Sequence, residues 1–520
     1  MNLISWQSLL ALVLGGCYGA LFGAIPGLTA TLAVALFIPI AFFLDPILAL
    51  PAIIGISSTA IFAGDVGSIV AKIPGTPASA AYVEELHALG KKRGSIYALG
   101  ICAMGSAVGG IIGTGLLIVS ATFLARVAKN FSSFEYFWIA ILGLTAGIFA
   151  AGRTPLKGLL SLLLGLAFAT VGIDPTLGYP RFDFGNPNLL GGLNYIVVMI
   201  GLFGFSEVLE QLFFRRDRTI TEDVSSLRSS TRDFFVRPSQ LMGRHPLLVL
   251  RSSLMGTFVG FLPGAGADIG AWVASSVEKM SLLRRDNMTN GADKRSVHDA
   301  MKPNHQDSNY QDTIYQDGDQ DTIVLAGTSS NNAAVASAWI PALALGLPGD
   351  TVTAIVLGVF LMKGITPGPQ LFQNDIGLVW TLYGAFIVAN VLLLPLLGYL
   401  TASAVSQVIR IPFNILLSII TVLCVVGAFA INNNPFDVWV MAGMGLLALL
   451  LKLGGFPLAQ VVLGMVLGPI LEQNFMVSAI KSRWDLTSFF ERPIAIVLML
   501  FTLAIIIVGM RLRQRPLKPV

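Results

Sequence analysis

The chain has 520 residues and a formal net charge of +4; it is 54% hydrophobic but only 12% charged, with a mean hydropathy of +0.76. Soluble globular chains carry about 25% charged residues, so the composition excludes an ordinary soluble protein and places this one in a membrane as an all-α polytopic chain. Three cysteines, Cys17, Cys102 and Cys424, lie far apart in apolar surroundings and imply neither a disulfide framework nor a metal site.

In chain order, the first charged residue is Asp45. Uncharged windows then run 46–64, 98–123, 136–152, 158–173, 184–206, 252–267, 322–349, 376–409, 411–436, 453–471 and 493–510. A membrane helix needs about 20 apolar residues, so the windows predict about 12 transmembrane segments, several of them broken or re-entrant. The short alternating strands of a β-barrel are absent from the pattern. No basic stretch precedes the first apolar run, which predicts a retained helix rather than a cleaved signal peptide. Basic clusters at Lys91-Lys92-Arg93, from Arg215 through Arg244, and at Arg511 to Lys518 are expected on the cytoplasmic side. Asp174 to Asp183 then fall outside. The net charge reads as orientation, with no nucleic acid as partner.

Two phrases match. Residues 19–27 read GALFGAIPG and residues 256–264 read GTFVGFLPG, with Pro26 and Pro263 237 positions apart. Each half carries a second Pro-Gly, at Pro74-Gly75-Thr76 and at Pro348-Gly349-Asp350, and a Ser-Ser pair precedes each, Ser57-Ser58 and Ser329-Ser330. We read a first half over 1–214, a cytoplasmic polar linker over 215–245, a second half over 246–475 with a polar insert at 279–321, and a C-terminal helix with a basic cytoplasmic tail over 476–520. The repeats are expected to be inverted.

In lipid every backbone polar group must be satisfied internally, so broken helices survive only when buried in protein or lining a wet cavity. Proline suits the first turn of a new helix, and glycine admits close approach. A helix beginning after Pro-Gly presents free N–H groups and a positive dipole end, which suits a carboxylate. Matched breaks in two halves point to a transporter's central site, although a single Pro-Gly also marks a plain kink. The candidate solute-binding residues are Pro26, Gly27, Thr29, Pro74, Gly75, Thr76, Pro263, Gly264, Gly266, Asn331, Asn332, Pro348 and Gly349. The Asn pair also suits interhelical hydrogen bonding. Candidates for a coupling ion, Na+ or H+, are Ser57, Ser58, Asp65, Asp268, Ser329 and Ser330, because an intramembrane acid is a functional candidate by default. Asp350 reads as a helix N-cap. No P-loop, catalytic triad, metal cluster or cofactor motif is present, so the chain is not expected to be an enzyme.

At these residues the chain resembles the large membrane subunit of the tripartite tricarboxylate transporters, the TctA family. The matching stretches are GALFGAIPGLTATLAVALFIPI (19–40), GSIVAKIPGTPASAA (67–81), ATVGIDPTLGYPRFDFG (169–185), GLFGFSEVLE (201–210), GTFVGFLPGAGADIGAW (256–272), NNAAVASAWIPALALGLPGDTVTAIVLG (331–358), GITPGPQLF (364–372) and GMVLGPILEQN (464–474). The resemblance implies an elevator-type secondary transporter in a bacterial inner membrane, importing carboxylates such as citrate by symport. It implies two partners, a small four-helix membrane subunit (TctB-like) and a periplasmic solute-binding protein (TctC-like). The sequence departs from the family pattern at Thr328, where a Glu is usual, at Val66, at Glu85-Leu86, where Asp-Gly is usual, and at Asp350, where a small hydroxyl residue is common. A stand-alone channel or exporter, a membrane enzyme, and a membrane solute sensor or scaffold are the alternatives.

Overall fold

The computed structural model describes residues 4–25, 28–72, 74–150, 154–174, 176–214, 230–262, 266–290, 318–408 and 413–514. These residues are mostly helical. The first half holds α1 (Trp6–Ala24), α2 (Ala30–Phe43), α3 (Pro46–Ala71), α4 (Val83–Arg93), α5 (Ser95–Ala128), α6 (Ser133–Ala150), α7 (Pro155–Ala169) and α8 (Tyr195–Phe213). After the linker come α9 (Arg237–Arg244), α10 (Pro246–Phe261), α11 (Gly266–Asn290), α12 (Asp319–Ser337), α13 (Trp339–Leu345) and α14 (Thr351–Met362). The described helices end with α15, which runs from Ile376–Val388 through a π-turn at Ala389–Leu393 into Leu394–Val408, then α16 (Phe413–Asn432), α17 (Pro435–Leu453), α18 (Leu458–Lys481) and α19 (Pro493–Gln514).

Among the described residues 7 helices are long and apolar enough to cross a membrane, and others, such as Ala30–Phe43 and Pro246–Phe261, are apolar but shorter. The protein is therefore a multi-pass membrane protein. Large apolar side chains remain exposed, among them Leu14, Phe258, Val422 and Trp439, as a lipid-facing surface requires.

Small residues set the closest helix pairs. A Cβ at Gly15, Gly19 or Gly23 of α1 would lie within 2.4 Å of the carbonyl oxygen of Ala52, Ile56 or Ala60 of α3. The spacing of four puts these glycines on one face, and the rising numbers on both sides make α1 and α3 parallel. Gly256 and Gly260 of α10 meet the carbonyls of Ser330 and Ala334 in α12 in the same way, and Gly109 and Gly113 of α5 meet those of Ser329 and Ala333. Interfaces of small residues suit membranes because lipid gives helices no hydrophobic drive to associate, so contact must come from close packing.

α3 and α12 cross in opposite directions. Tyr82 packs against Gly327 while bonding Asp65, and further along Asn332 Nδ2 donates to the Ser58 carbonyl at 3.4 Å. At the two edges of the insert Arg285 pairs with Asp319 at 2.8 Å, and Asp321 pairs with Arg93 of the first basic cluster at 2.6 Å. Elsewhere, a short antiparallel ladder, Gly172–Ile173 with Pro180–Arg181, is tied to α18 by the Arg181–Glu472 pair.

Candidate functional site

Two chain reversals, tip 1 and tip 2, carry the second Pro-Gly of each half. In tip 1, α3 ends at Lys72, whose left-handed φ of 55° reverses the chain. Gly75 then folds back so that its N–H donates to the Gly64 carbonyl at 3.2 Å. A Cβ on Gly75 would stand 2.5 Å from that oxygen, so this approach requires glycine. Thr76 and Ser79 cap each other's backbone at 3.1 Å and lead through a 3-10 turn to Tyr82.

Tip 2 follows α13, which stops at Gly346 with φ 71°. Gly349 meets the carbonyl of Ala338, again at 2.5 Å from an added Cβ. The separation of 274 residues between Ser58 and Asn332 also relates Gly64 to Ala338 and Gly75 to Gly349. Asp350 is the N-cap of α14; its carboxylate accepts from Thr353 N at 2.7 Å, and Thr353 reciprocates in a capping box.

Each half's second helix leans on the other half's tip. Thr31 in the first turn of α2 is 3.0 Å from Thr351 of tip 2, hydroxyl to hydroxyl. Trp272 of α11 donates its indole N–H to the Pro77 carbonyl of tip 1 at 3.0 Å, and Asp268 accepts from the Ala78 amide. Gly266 abuts Asp350, and Thr29 caps α2 by accepting from Leu32 N at 3.2 Å. Thus Thr29, Gly266, Gly75, Thr76, Gly349 and Asp268 belong to one region, with Pro74 and Pro348 on its tips. Pro26, Gly27, Pro263 and Gly264 lie outside the described residues.

Behind the tips, α3 and α12 bring together buried polar side chains. Ser57, Ser58, Ser329, Ser330, Asn331 and Asn332 are all at most 2% exposed. Ser57 donates to the Ile54 carbonyl, whereas Ser329 Oγ, Ser330 Oγ, Asn331 Oδ1 and Asn332 Oδ1 have no hydrogen-bond partner among the described residues. Buried polar atoms left unpaired cost about 1–3 kcal/mol each. No group of three or more His, Cys, Asp or Glu able to hold a metal occurs among the described residues.

The sequence reading paired Ser57-Ser58 with Ser329-Ser330. The 274-residue offset instead makes Ser57-Ser58 the counterparts of Asn331-Asn332, and Asn332 meets Ser58 directly. Asp65 stands apart, 1% exposed, with Tyr82 and Cys102 as its hydrogen-bond partners. Tyr82, Thr31, Thr351 and Trp272 were missed from sequence. Only their positions at fixed distances from the Pro-Gly steps could have singled them out.

Residues 9–463 match the model of the tripartite tricarboxylate transporter TctA family. An uncharacterized 52.8 kDa protein in the TAR-I ttuC' 3'region of Agrobacterium vitis is 32% identical over 501 residues, covering 95% of this chain and 92% of that one. An uncharacterized protein in the TAR-II ttuC' 3'region of the same organism is 32% identical over 244 residues, 46% of this chain and 87% of its own length. No solved structure matches. With the family model spanning so much of the sequence, the chain is a transporter component rather than an enzyme, and it belongs to the tripartite tricarboxylate transporter TctA family.

Proposed function

We propose that the chain is the large permease subunit of a binding-protein-dependent, ion-coupled secondary transporter that imports di- or tricarboxylates across a bacterial inner membrane. Its partners in this reading are a small four-helix membrane subunit and a periplasmic solute-binding protein. The halves 1–214 and 246–475 form an inverted repeat, and the paired tips move as an elevator against the remaining helices.

The observation that carries the reading is reciprocal: α2 of the first half touches tip 2, and α11 of the second half touches tip 1. Inverted repeats with discontinuous helices meeting at one place are the transporter pattern. The antiparallel crossing of α3 and α12 supports the inversion. The pairs Arg93–Asp321 and Arg285–Asp319 support placing the insert on the same side as the basic loop at 91–93, the cytoplasmic side.

The two halves differ in their caps. α2 opens with hydroxyls, Thr29 and Thr31, whereas α11 and tip 2 carry resident acids, Asp268 and Asp350. A resident carboxylate already neutralises a helix N-terminus, so the solute's carboxylates belong at the hydroxyl-capped ends, and a solute of low net negative charge is favoured.

The test is uptake of labelled citrate and smaller carboxylates into proteoliposomes, with and without both partners, under Na+ and proton gradients. Accumulation that needs the partners and a gradient is expected. Equal transport by the purified chain alone points to a channel or exporter, and binding without accumulation to a sensor.

A further inference from the structure

Asp65 lies within the span Pro46–Val70 and is buried to 1% exposure. Its Oδ1 accepts a hydrogen bond from Tyr82 Oη at 3.0 Å, and the Cys102 thiol is its other side-chain partner. Tyr82 is itself fully buried, wedged against Gly327 of α12, and its hydroxyl faces the Asn331 side chain. Among the described residues no Lys, Arg or His forms an ion pair with Asp65.

The neighbouring elements offer it no counter-charge. On α4, Glu85 is paired with Lys279, His87 is turned to the Ile69 carbonyl, and Glu84 is paired with Lys72 at the end of α3. On α5 the facing group is Cys102; Tyr97 of α5, and Arg93 at the end of α4, instead bond Asp321 of α12. α12 presents Gly327 and Asn331. α1 contains no acid or base beyond Cys17 and Tyr18, and the Leu394–Val408 part of α15 approaches through Gly398 beside Phe62. A bare carboxylate out of water costs far more than it gains unless something neutralises it. The groups around Asp65 provide a hydroxyl, a thiol and an amide, and no other acid.

We propose that Asp65 is the proton-carrying group of the transport cycle, with Tyr82 as the group that couples its protonation to tip 1; this rests on the transport reading above and assigns its ion. The placement supplies the linkage. Asp65 follows Gly64, whose carbonyl holds the Gly75 amide of the tip. Tyr82 follows the Ser79–Ala81 turn that closes the same tip. Protonation forms one O–H bond on the Asp65 carboxyl with a proton taken from one side, and release breaks that bond toward the other. No electron moves and no co-reactant is needed. The protonated carboxyl no longer draws the Tyr82 hydroxyl as strongly, because hydrogen bonds to an ionised acceptor are about twice as strong as neutral ones. The segment of tip 1 between Gly75 and Tyr82 is thereby loosened or fastened at both ends.

The experiment uses the chain with both partners in proteoliposomes and labelled citrate as probe. Wild type should accumulate solute under an inward proton gradient without Na+. Asp65→Asn should lose tenfold or more of that accumulation, with exchange of internal for external solute at equal pH falling far less. Independently of accumulation, infrared difference spectra on solute addition should contain a carboxylic C=O band that Asp65→Asn removes and Tyr82→Phe shifts. The inference is overturned if Asp65→Asn accumulates like wild type under the proton gradient, if only a Na+ gradient drives wild type, or if the band survives in Asp65→Asn. Wild type that neither accumulates nor exchanges overturns the transport reading itself.

Discussion

Gly75→Ala and Gly349→Ala form a matched pair of perturbations. At Gly75 the new methyl would lie 2.5 Å from the Gly64 oxygen and 2.7 Å from its Cα. At Gly349 it would lie 2.5 Å from the Ala338 oxygen and 2.7 Å from its Cα. Real Cβ atoms do not sit so close to backbone, and in both cases the obstacle is a helix backbone rather than a flexible side chain. Neither glycine has a positive φ, so the cost is collision rather than lost conformational freedom.

Overpacking of this kind costs typically about 1–3 kcal/mol, or roughly 5- to 150-fold in the equilibrium between a docked and an undocked tip at about 1.4 kcal/mol per decade. Both substitutions should therefore lower the rate of carboxylate uptake at least about fivefold, and by similar factors, because the two collisions have the same geometry. Uptake into proteoliposomes reads the rate, and thermal unfolding in detergent checks that the helices persist. Wild-type uptake by Gly75→Ala alongside an inactive Gly349→Ala would refute the equivalence of the two tips.

Other perturbations test other parts of the molecule. Thr351→Val removes one partner of the Thr31–Thr351 hydroxyl contact; a lost hydrogen bond is worth about 1 kcal/mol, so the apparent affinity for solute should fall about fivefold with little change in the unfolding midpoint, and an unchanged affinity counts against this contact as part of the site. Arg492→Ala strands Glu135, which is fully buried and held by Arg492 Nε at 2.7 Å; because Arg492 is 41% exposed, the loss should be roughly 2 kcal/mol, below the 3–5 kcal/mol of a fully buried pair, and it is read as a lowered melting temperature that Arg492→Lys partly restores. In the 170–194 loop, the amides of Leu177 and Thr176, then Arg181, hold the Asp174 carboxyl below its ordinary value. A carboxyl depressed by folding stabilises above the unfolded value, about 3.9, and that contribution is lost as pH falls through the folded value. The protection of the Thr176 and Leu177 amides relative to their intrinsic exchange rates should therefore fall in acid, and Asp174→Asn should lower that protection at every pH.

Much of the architecture was legible because lipid is a demanding solvent. Charge-free windows and the second Pro-Gly of each half follow from burying backbone without water, and the family resemblance holds across residues 9–463. What the sequence hid was pairing. Nothing local says that Trp272 reaches Pro77 or that Tyr82 reaches Asp65, since each bond joins segments whose meeting depends on several helix crossings. The insert could not be assigned a side because a polar loop fits either face; Arg93 with Asp321 and Arg285 with Asp319 decide which loop it adjoins.

The serine doublets make the same point about register. Ser57-Ser58 and Ser329-Ser330 look alike as text, yet a two-residue shift on a helix turns a side chain by about 200°. With Gly75 and Gly349 both seated on a helix backbone, the distance from each tip back to the crossing is fixed. That distance makes Asn331-Asn332, not Ser329-Ser330, the counterparts of Ser57-Ser58, with Asn332 bonding the Ser58 carbonyl. Ser329 and Ser330 instead face α5 and α10, where Gly109 and Gly256 approach their carbonyls. The two halves therefore present different chemistry at one crossing, hydroxyls from α3 and carboxamides from α12.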